Sequence, residues 1–310
     1  MKIVRIGEPQ VIMSNPESRH NYFAWPTVAR LQNGKIAVVA SGYRLRHACP
    51  FGKTVISYSE NEGETYTAPA PIFDTVLDDR DGGILPFGEK GVIVTSFNNV
   101  REFQRKYAES SYDSGYLDLI TPEEEKEALG ASFRISNDCG VTFGEIHKSP
   151  ITSPHGPIEL HDGTLLWIGR TFNPKQTHEI ENDFVQAYKI NLDGTMEFVG
   201  KIENVTVNGI ETLSCEPHSI VLEDGTILTH IRVQNQPEKI FTIFQSESHD
   251  NGKTWDYGYD LYVNNISRDL GYPSTIEMSD GSLLTVFYAK MSEGGPAVVA
   301  QQRWRFEDNE

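Results

Sequence analysis

Residues 215–232 read CEPHSIVLEDGTILTHIR, two apolar runs joined by the dipeptide Asp224-Gly225. Both runs are rich in Ile, Leu and Thr, and Asp-Gly accepts the left-handed backbone that a tight hairpin turn requires. The same plan recurs at residues 25–44, 80–99, 154–170 and 271–288. Each copy predicts a β-hairpin, and five such hairpins along one chain predict a repeat architecture.

The spacing of the hairpins predicts how the repeats close. Their turn glycines are 54 to 75 residues apart, which is even enough for a ring of similar units. A third apolar strand follows each hairpin, at residues 54–59, 132–136, 184–190, 241–248 and 297–306. Residues 3–13 would supply the outer strand that the last unit lacks, so both termini would share one blade. We therefore predict an all-β protein, a β-propeller of four-stranded blades, with five repeats counted.

One long connection interrupts the second unit. Residues 100–130 are charged and bear tyrosines, and the stretch from Thr121 to Gly130 predicts a short helix. Thr121 would cap this helix, Pro122 suits its first turn and Glu124 completes a capping box. The chain is accordingly interpreted as a single propeller domain over all 310 residues, with an inserted loop and short helix at 100–130.

Three of the third strands end in the eight-residue pattern Ser-x-Asp-x-Gly-x-Thr-aromatic. Asp138 and Asp250 occupy its acidic position, and Asn61 replaces the acid in the first copy. The acidic or amide side chain would cap its own turn, and the glycine would take a left-handed conformation. The pattern resembles the Asp boxes of the sialidase-like (neuraminidase-like) BNR/Asp-box family, and the resemblance spans nearly the whole chain. Sialidases usually have six blades, so six is the alternative to the five counted here.

Composition and charge narrow the classes of partner. The chain carries 44 Asp and Glu against 27 Lys and Arg, a net charge of −17. Such a field repels nucleic acid and anionic membranes, so neither is expected as a partner. No run approaches the ~20 apolar residues of a membrane span. The N-terminal apolar run is too short and is interrupted too soon by charged residues to be a signal peptide. We expect a cytoplasmic location, or a secreted one if a signal was removed.

Propeller topology selects candidate site residues without any motif. The innermost strand starts on one face and the second strand returns to it, so these ends converge at one mouth of the central channel. First-strand starts provide Trp25, Arg80, Asp81, His155, Glu216, His218 and Tyr272. Second-strand ends provide Tyr43, Arg44, Asn98, Arg170, Arg232 and Tyr288. So many reactive side chains at one mouth predict a ligand site there.

The sialidase resemblance implies roles for three of these residues. The segment from Glu216 to Arg232 is similar to the family's Glu…Arg hairpin, in which the glutamate activates a tyrosine nucleophile and the arginine binds the substrate carboxylate. Gly271-Tyr272-Pro273-Ser274 resembles the segment that bears the tyrosine. A tyrosine needs such a base because its pKa of about 10 leaves it unionised. The family's first arginine has no counterpart in Phe23-Ala24-Trp25-Pro26, and its acid/base Asp has none in residues 43–47.

The leading hypothesis is a carbohydrate-active enzyme, a glycoside hydrolase of the sialidase-like superfamily acting on an acidic or sialic-acid-related glycan. Paired carboxyl groups are what glycosidic cleavage needs, and Asp81 is an alternative general acid with Glu216 as base. The catalytic candidates are Glu216, Tyr272, Asp81 and His155. The substrate-binding candidates are Arg44, Arg80, Arg170, His218, Arg232, Trp25 and Tyr288.

Two alternative functions stay open. A lyase on a uronic-acid glycan would use His155 or Tyr272 to abstract a proton, while arginines neutralise the carboxylate. A non-catalytic sugar-binding propeller would use Trp25 and the tyrosines as stacking platforms. Each hypothesis has an oligosaccharide or glycan as the partner, and an oligomeric assembly is left open. No cofactor or metal is expected, because the three cysteines lack metal-ligand spacing.

Overall fold

A computed structural model describes residues 11–174, 184–256, 260–262, 271–277, 283–290 and 297–305. Side chains are described within the first two ranges and at Arg305. The strand predicted at residues 3–13 lies outside these ranges except for residues 11–13, which are not in a strand.

The described chain forms six antiparallel sheets, and the five larger ones, in sequence order, are called blades 1 to 5. Blade 1 comprises β1 (Tyr22–Arg30), β2 (Ile36–Arg44), β3 (Lys53–Ser59) and β4 (Ala70–Phe73). Blade 2 comprises β5 (Ile84–Phe87), β6 (Gly91–Phe97), β7 (Ala131–Ser136) and β8 (His147–Ser149). Blade 3 comprises β9 (Ile151–Thr152), β10 (Ile158–Glu159), β11 (Leu165–Thr171), β12 (Val185–Ile190) and β13 (Met196–Ile202).

A small hairpin, β14 (Thr206–Val207) and β15 (Ile210–Glu211), separates blades 3 and 4. Blade 4 comprises β16 (Leu213–Val221), β17 (Ile227–Asn235), β18 (Ile240–Ser248) and β19 (Asp260–Tyr262). Blade 5 comprises β20 (Gly271–Glu277), β21 (Leu283–Lys290) and β22 (Ala297–Trp304). Each of the five hairpins read from the sequence lies in one of these blades.

The innermost strands lie around a common axis. Strand β1 contacts β5, β5 contacts β10, and β16 contacts both β11 and β20. Near the centre, the Thr27 hydroxyl donates to the carbonyl oxygens of Gly82 (3.0 Å) and Pro154 (3.3 Å), which belong to the next two blades. The prediction of an all-β propeller is confirmed.

The apolar core lies between neighbouring blades. Between blades 1 and 2, Val39 and Ile56 pack with Val92 and Val94. Two further clusters join blades 2 and 3 through Phe133 and Trp167, and blades 3 and 4 through Ile168 and Ile231. Full burial of such a side chain contributes about 1.5–3 kcal/mol, so the twisted blades are held mainly by this packing.

The three eight-residue turns share one hydrogen-bond pattern. In blade 2, the Gly140 amide donates to the Ser136 hydroxyl (2.9 Å), and the Thr142 hydroxyl donates to the Asp138 carboxylate (2.6 Å). These bonds from Thr142 and Ser136 lower the pKa of Asp138 to about 2. The turns follow the third strands, so they lie on the face opposite the ends of the second strands. The Tyr58 hydroxyl of blade 1 donates to the Gly140 carbonyl, which joins this turn to the neighbouring blade (2.5 Å).

The insertion between β6 and β7 contains three helices, of which the sequence predicted one. The helix α3 (Pro122–Ala128) has the expected capping box between Thr121 and Glu124. Two more, α1 (Arg101–Arg105) and α2 (Ser111–Leu119), precede it. None of the helices in the described ranges is long and apolar enough to cross a membrane.

Candidate active site

A β-bulge changes the direction of the side chains at the start of the innermost strand in blade 4. Cys215 pairs with Arg232 and His218 pairs with His230, so Glu216 and Pro217 together face the single residue between those partners. Glu216 has a φ of 52°, a left-handed backbone that non-glycine residues rarely adopt. The extra residue breaks the in-and-out alternation of the strand and directs Glu216 into the mouth.

The same bulge recurs in other blades at the same place. In blade 1 the register jumps between Ala24 and Thr27, and Trp25 has a φ of 54°. In blade 2 the bulged residue is Asp81, with a φ of 52°. In blade 5 the register jumps between Gly271 and Ser274, which gives the backbone of Tyr272 the equivalent position. The side chains of Tyr272 and Tyr288 lie outside the described set.

Four of the nine non-glycine residues of the described chain that have a positive φ lie at the mouth. Trp25, Tyr43, Asp81 and Glu216 all have positive φ, and three more such residues lie in the eight-residue turns. A non-glycine residue held in this region costs of order 1–3 kcal/mol and persists only when the surrounding structure imposes it. Strained residues of this kind gather at active sites, so this mouth is the candidate active site.

Glu216 is the centre of the charged cluster at the mouth. Its Oε1 lies 3.1 Å from Nη2 of Arg232, while its buried Oε2 has no hydrogen-bond partner within the described chain. Burial raises the pKa of Glu216, and the charge of Asp81 raises it further. The positive charges of Arg232, Arg170 and Arg80 act in the opposite direction. Charged side chains from blades 2, 3 and 4 are therefore close enough to act on the ionisation of one carboxyl group.

Asp81 is the second buried carboxyl group of this pocket. Its Oδ2 lies 3.5 Å from Nε of Arg80, and its Oδ1 is buried without a hydrogen-bond partner in the described ranges. The Asp81 amide donates to the Ser41 hydroxyl (2.9 Å), which fixes the bulge. The Arg80 guanidinium lies 4.6 Å from the ring centre of Trp25 and so connects the first two blades.

Arg170 brings a buried positive charge to the pocket from the end of β11. Its residue surface is only 7% exposed. Across the described residues, no carboxylate oxygen lies within 4.0 Å of its guanidinium. A buried guanidinium without a close carboxylate can accept an anionic group of a ligand in bidentate geometry.

Histidines line the pocket between blades 3 and 4. The rings of His155 and His218 are 4.7 Å apart in an edge-to-face arrangement, and His218 faces His230 across the β16–β17 ladder. Burial lowers the pKa of His218 to about 4 and that of His155 well below its usual value. Both rings are therefore neutral at pH 7. Within the described residues, no three His, Cys, Asp or Glu side chains are grouped to hold a metal ion.

The guanidinium of Arg44 is buried and bound to other groups of the protein, so it is not available to a ligand. Its side chain is 0% exposed, and it binds both carboxylate oxygens of Asp78, at 2.6 Å and 2.8 Å. Another of its hydrogen bonds goes to the carbonyl of His47 (2.7 Å). Tyr43 is likewise engaged, since its hydroxyl donates to the Pro69 carbonyl (2.8 Å). We therefore leave Arg44 out of the substrate-binding set and regard it as a support for the loop after β2.

His47 is at the mouth although sequence reasoning did not select it. Its ring packs edge-on against Trp25, with 4.8 Å between ring centres. Burial lowers the pKa of His47, and the nearby charge of Arg80 lowers it further, while Asp81 acts in the opposite direction. The residue lies three positions beyond the end of β2, so a rule based on strand ends misses it. Its place in a short loop after an inner strand was the available signal.

Comparisons with known proteins support the fold. No protein-family model and no curated protein matches the chain. Among solved structures, the chain is similar to a protein of unknown function from Dyadobacter fermentans (16% identity, TM-score 0.58, 96% of this chain and 97% of that chain). It is also similar to the endo-arabinase from Bacteroides thetaiotaomicron (13%, 0.51, 92% and 95%) and to the NanB sialidase from Streptococcus pneumoniae (14%, 0.63, 96% and 61%). At such identities the likeness shows the fold alone, and the chain shares the propeller fold of these proteins.

Proposed function

We propose that this protein is a glycoside hydrolase that acts on an acidic or sialic-acid-related glycan at the mouth of the propeller. The observation that carries the proposal is the pair Glu216 and Asp81. Both are presented by left-handed bulges, and each has a buried carboxyl oxygen without a hydrogen-bond partner among the described residues. Two carboxyl groups on either side of a glycosidic bond are what its hydrolysis requires.

The environments of the two carboxyl groups suggest separate roles. Burial raises the pKa of Glu216, which favours its protonated form and suits the general acid that protonates the leaving oxygen. Asp81, beside the guanidinium of Arg80, would then act as the base or nucleophile. This assignment reverses the one predicted from the sequence, because the degree of burial was not visible there. The sialidase resemblance implies a different mechanism, in which Tyr272, at the equivalent bulge of blade 5, is the nucleophile and Glu216 is its base.

The acidic character of the substrate is argued from the arginines. Arg232 already bonds to Glu216, whereas no carboxylate oxygen of the described chain lies within 4.0 Å of the Arg170 guanidinium. A carboxylate on the sugar would give the Arg170 guanidinium a closer anionic partner than the described residues do. The sialidase and arabinanase folds among the solved neighbours are consistent with a glycan ligand at this place.

The test is a screen of the pure protein on chromogenic glycosides, sialosides and uronic-acid oligosaccharides, followed by kinetics of Glu216→Gln and Asp81→Asn. Loss of acid–base help predicts a fall in kcat of at least ~10²-fold for each variant with the fold retained. The matched control is Glu223→Gln, an exposed residue in the hairpin turn on the opposite face. Turnover by Glu216→Gln within a few-fold of the wild type would overturn the proposal.

A second candidate is a lyase on a uronic-acid glycan, which the histidines favour. Burial keeps His155 neutral at pH 7, the form that a general base must have, and His155 would abstract a proton beside a carboxylate bound by Arg170. Such a reaction leaves an unsaturated product that absorbs ultraviolet light, whereas hydrolysis does not. Binding of a glycan without either product would instead indicate a sugar-binding propeller.

A further inference from the structure

The segment of residues 152–155, at the start of blade 3, connects several parts of the candidate active site. Thr152 pairs with Arg170 across β9 and β11, so the segment begins beside the strand end that carries this arginine. Ser153 follows directly and is only 2% exposed. His155, one of the candidate catalytic residues, is two positions further along. Ser153 therefore lies between two site residues of its own blade.

The path of this segment is held by the two preceding blades. The Thr27 hydroxyl of blade 1 donates to the Pro154 carbonyl (3.3 Å). Gly83 of blade 2 approaches so closely that a Cβ on it would lie 2.3 Å from the amide nitrogen of Gly156. A segment that is fixed from both neighbours provides a rigid base for the groups that it carries.

The hydroxyl group of Ser153 connects this base with the bulge of blade 4. Its Oγ donates to the carbonyl oxygen of Pro217, the residue after Glu216, at 2.8 Å. The same Oγ accepts a hydrogen bond from the backbone amide of His155 at 3.3 Å. A hydroxyl has one donor and two acceptor sites, so one side chain can make both bonds. Ser153 thus joins the backbone of His155 to the bulge that presents Glu216.

The bulge needs such a contact because of its own backbone. Pro217 has no N–H group to give to the strand ladder, and it is buried, so its carbonyl requires a partner inside the protein. Glu216 has a φ of 52°, a conformation that persists only when the surrounding structure imposes it. The bond from Ser153 is a constraint of this kind on the residue next to Glu216.

The same arrangement recurs at the other acidic bulge. Asp81 of blade 2 also has a left-handed backbone, and the carbonyl of the next residue, Gly82, accepts from the Thr27 hydroxyl of blade 1 (3.0 Å). In both cases a hydroxyl group of an earlier blade holds the carbonyl that follows the acid. The two carboxyl groups of the proposed mechanism are therefore presented by bulges that are fixed in the same way.

We propose that Ser153 is a positioning residue of the active site, whose hydroxyl holds the bulge of blade 4 so that the Glu216 carboxyl group keeps its direction into the mouth. The inference rests on the proposed function, because Glu216 is there a reacting group. Ser153 acts through the backbone of its neighbours and is not itself a catalytic residue. Its removal should change the site more than the stability of the fold.

The matched variants are Ser153→Ala and Ser246→Ala. Ser246 is 1% exposed, and its hydroxyl donates to the Asp256 carbonyl at the same distance, 2.8 Å, near the turn on the opposite face. Each variant loses one buried hydrogen bond from a serine to a backbone carbonyl, so the two should lose similar stability in urea unfolding. Only Ser153→Ala should alter the mouth.

Carbon NMR titration of labelled glutamate carboxyl groups measures the site without any substrate, with the Glu216 signal assigned by its absence in Glu216→Gln. Burial raises the pKa of Glu216 in the wild type. Once the bulge is released, this carboxyl group gains contact with water, so its pKa in Ser153→Ala should fall toward the ordinary value of about 4.3. The pKa in Ser246→Ala should equal that of the wild type.

Kinetics on the chromogenic glycoside that the wild type cleaves fastest provide the second measurement. Displacement of a reacting group by about 1 Å can cost ~10²-fold in rate. We therefore expect kcat of Ser153→Ala to fall at least tenfold while KM stays within about threefold, and Ser246→Ala to keep both values. Ser153→Cys keeps a weak donor, so its kcat and its Glu216 pKa should lie between those of Ser153→Ala and the wild type.

Two results would overturn the inference. One is a Glu216 titration in Ser153→Ala that matches the wild type, and the other is an equal fall of kcat in the two alanine variants. If Ser153→Ala does not fold, Ser153→Cys takes its place in both measurements. If the wild type cleaves no glycoside, the proposed function fails, whereas the titration still decides whether Ser153 positions Glu216.

Discussion

Replacement of His230 by Gln should remove part of the acid sensitivity of this protein. His230 is 1% exposed, and its Nε2 lies 2.9 Å from Oε1 of Gln245. Burial lowers its pKa from 6.5 to about 4. Since one pKa unit corresponds to about 1.4 kcal/mol, the neutral ring contributes up to about 3 kcal/mol of pH-dependent stability. Glutamine can still donate to Gln245 but does not titrate.

The direction of this effect is fixed by which state binds the proton. Between pH 6.5 and about 4 the unfolded chain protonates His230 while the folded chain does not. The stability from His230 is therefore complete above pH 6.5 and is lost as pH falls toward 4. Asp79 contributes the opposite slope, because its folded pKa is raised to about 7. The test therefore compares the free energy of unfolding of the variant with that of the wild type at each pH.

Urea unfolding at pH 7.5, 6.5, 5.5 and 4.5, followed by far-ultraviolet circular dichroism, measures this difference. The variant will lose stability at pH 7.5 through imperfect packing, and we expect that deficit to shrink by about 1 kcal/mol per pH unit below pH 6.5. The control is His161→Gln, since His161 is exposed in the turn of blade 3. A deficit that stays constant from pH 7.5 to pH 4.5 would refute the argument that His230 is held neutral by burial.

Three other changes test separate parts of the structure. Arg44→Met leaves the buried carboxylate of Asp78 with only the more distant guanidinium of Arg80, at 3.9 Å, and should cost about 3–5 kcal/mol in urea unfolding. Arg170→Met should keep stability within about 1 kcal/mol but weaken binding of acidic glycans at least tenfold. In Gly83→Ala the new Cβ would lie 2.3 Å from the amide nitrogen of Gly156, so stability should fall by about 1–3 kcal/mol; an unchanged melting temperature would contradict the close approach. Asp250→Asn should lower the melting temperature at pH 7, because hydrogen bonds to the turn, chiefly from the backbone of Thr254, lower the pKa of Asp250 to about 2. The difference in melting temperature from the wild type should close as pH falls to about 2, and a difference that persists at pH 2 would contradict this.

The positions of the site residues along the chain could be predicted because they depend on topology. Hairpins are readable from apolar runs and Asp-Gly or Asn-Gly turns, and a propeller brings the ends of its inner strands together. Glu216, Asp81 and Arg232 follow from that rule. The bulges themselves were not predicted, because a change of register depends on the pairing of two strands.

The direction of side chains near strand ends could not be read from the sequence. Arg44 follows Tyr43, whose left-handed backbone alters the alternation of the strand, and its partner Asp78 lies 34 residues away. Long-range ion pairs of this kind leave no local pattern. The helix α2 was missed for a local reason, since Gly115 lies within it and its apolar residues form no strong stripe.

The recurrence of one bulge in several blades has a consequence for how this fold acquires chemistry. Trp25, Asp81 and Glu216 occupy the same backbone geometry, and their side chains are an indole ring and two carboxyl groups of different length. A substitution at such a position changes what the mouth offers while the ladder on either side keeps its pairing. The bulged position of each blade can therefore carry different side chains on the same backbone. A related chain could exchange an acid for an aromatic ring there without a change in strand pairing. Differences in reaction between propellers of this kind should be sought first at these few bulged positions.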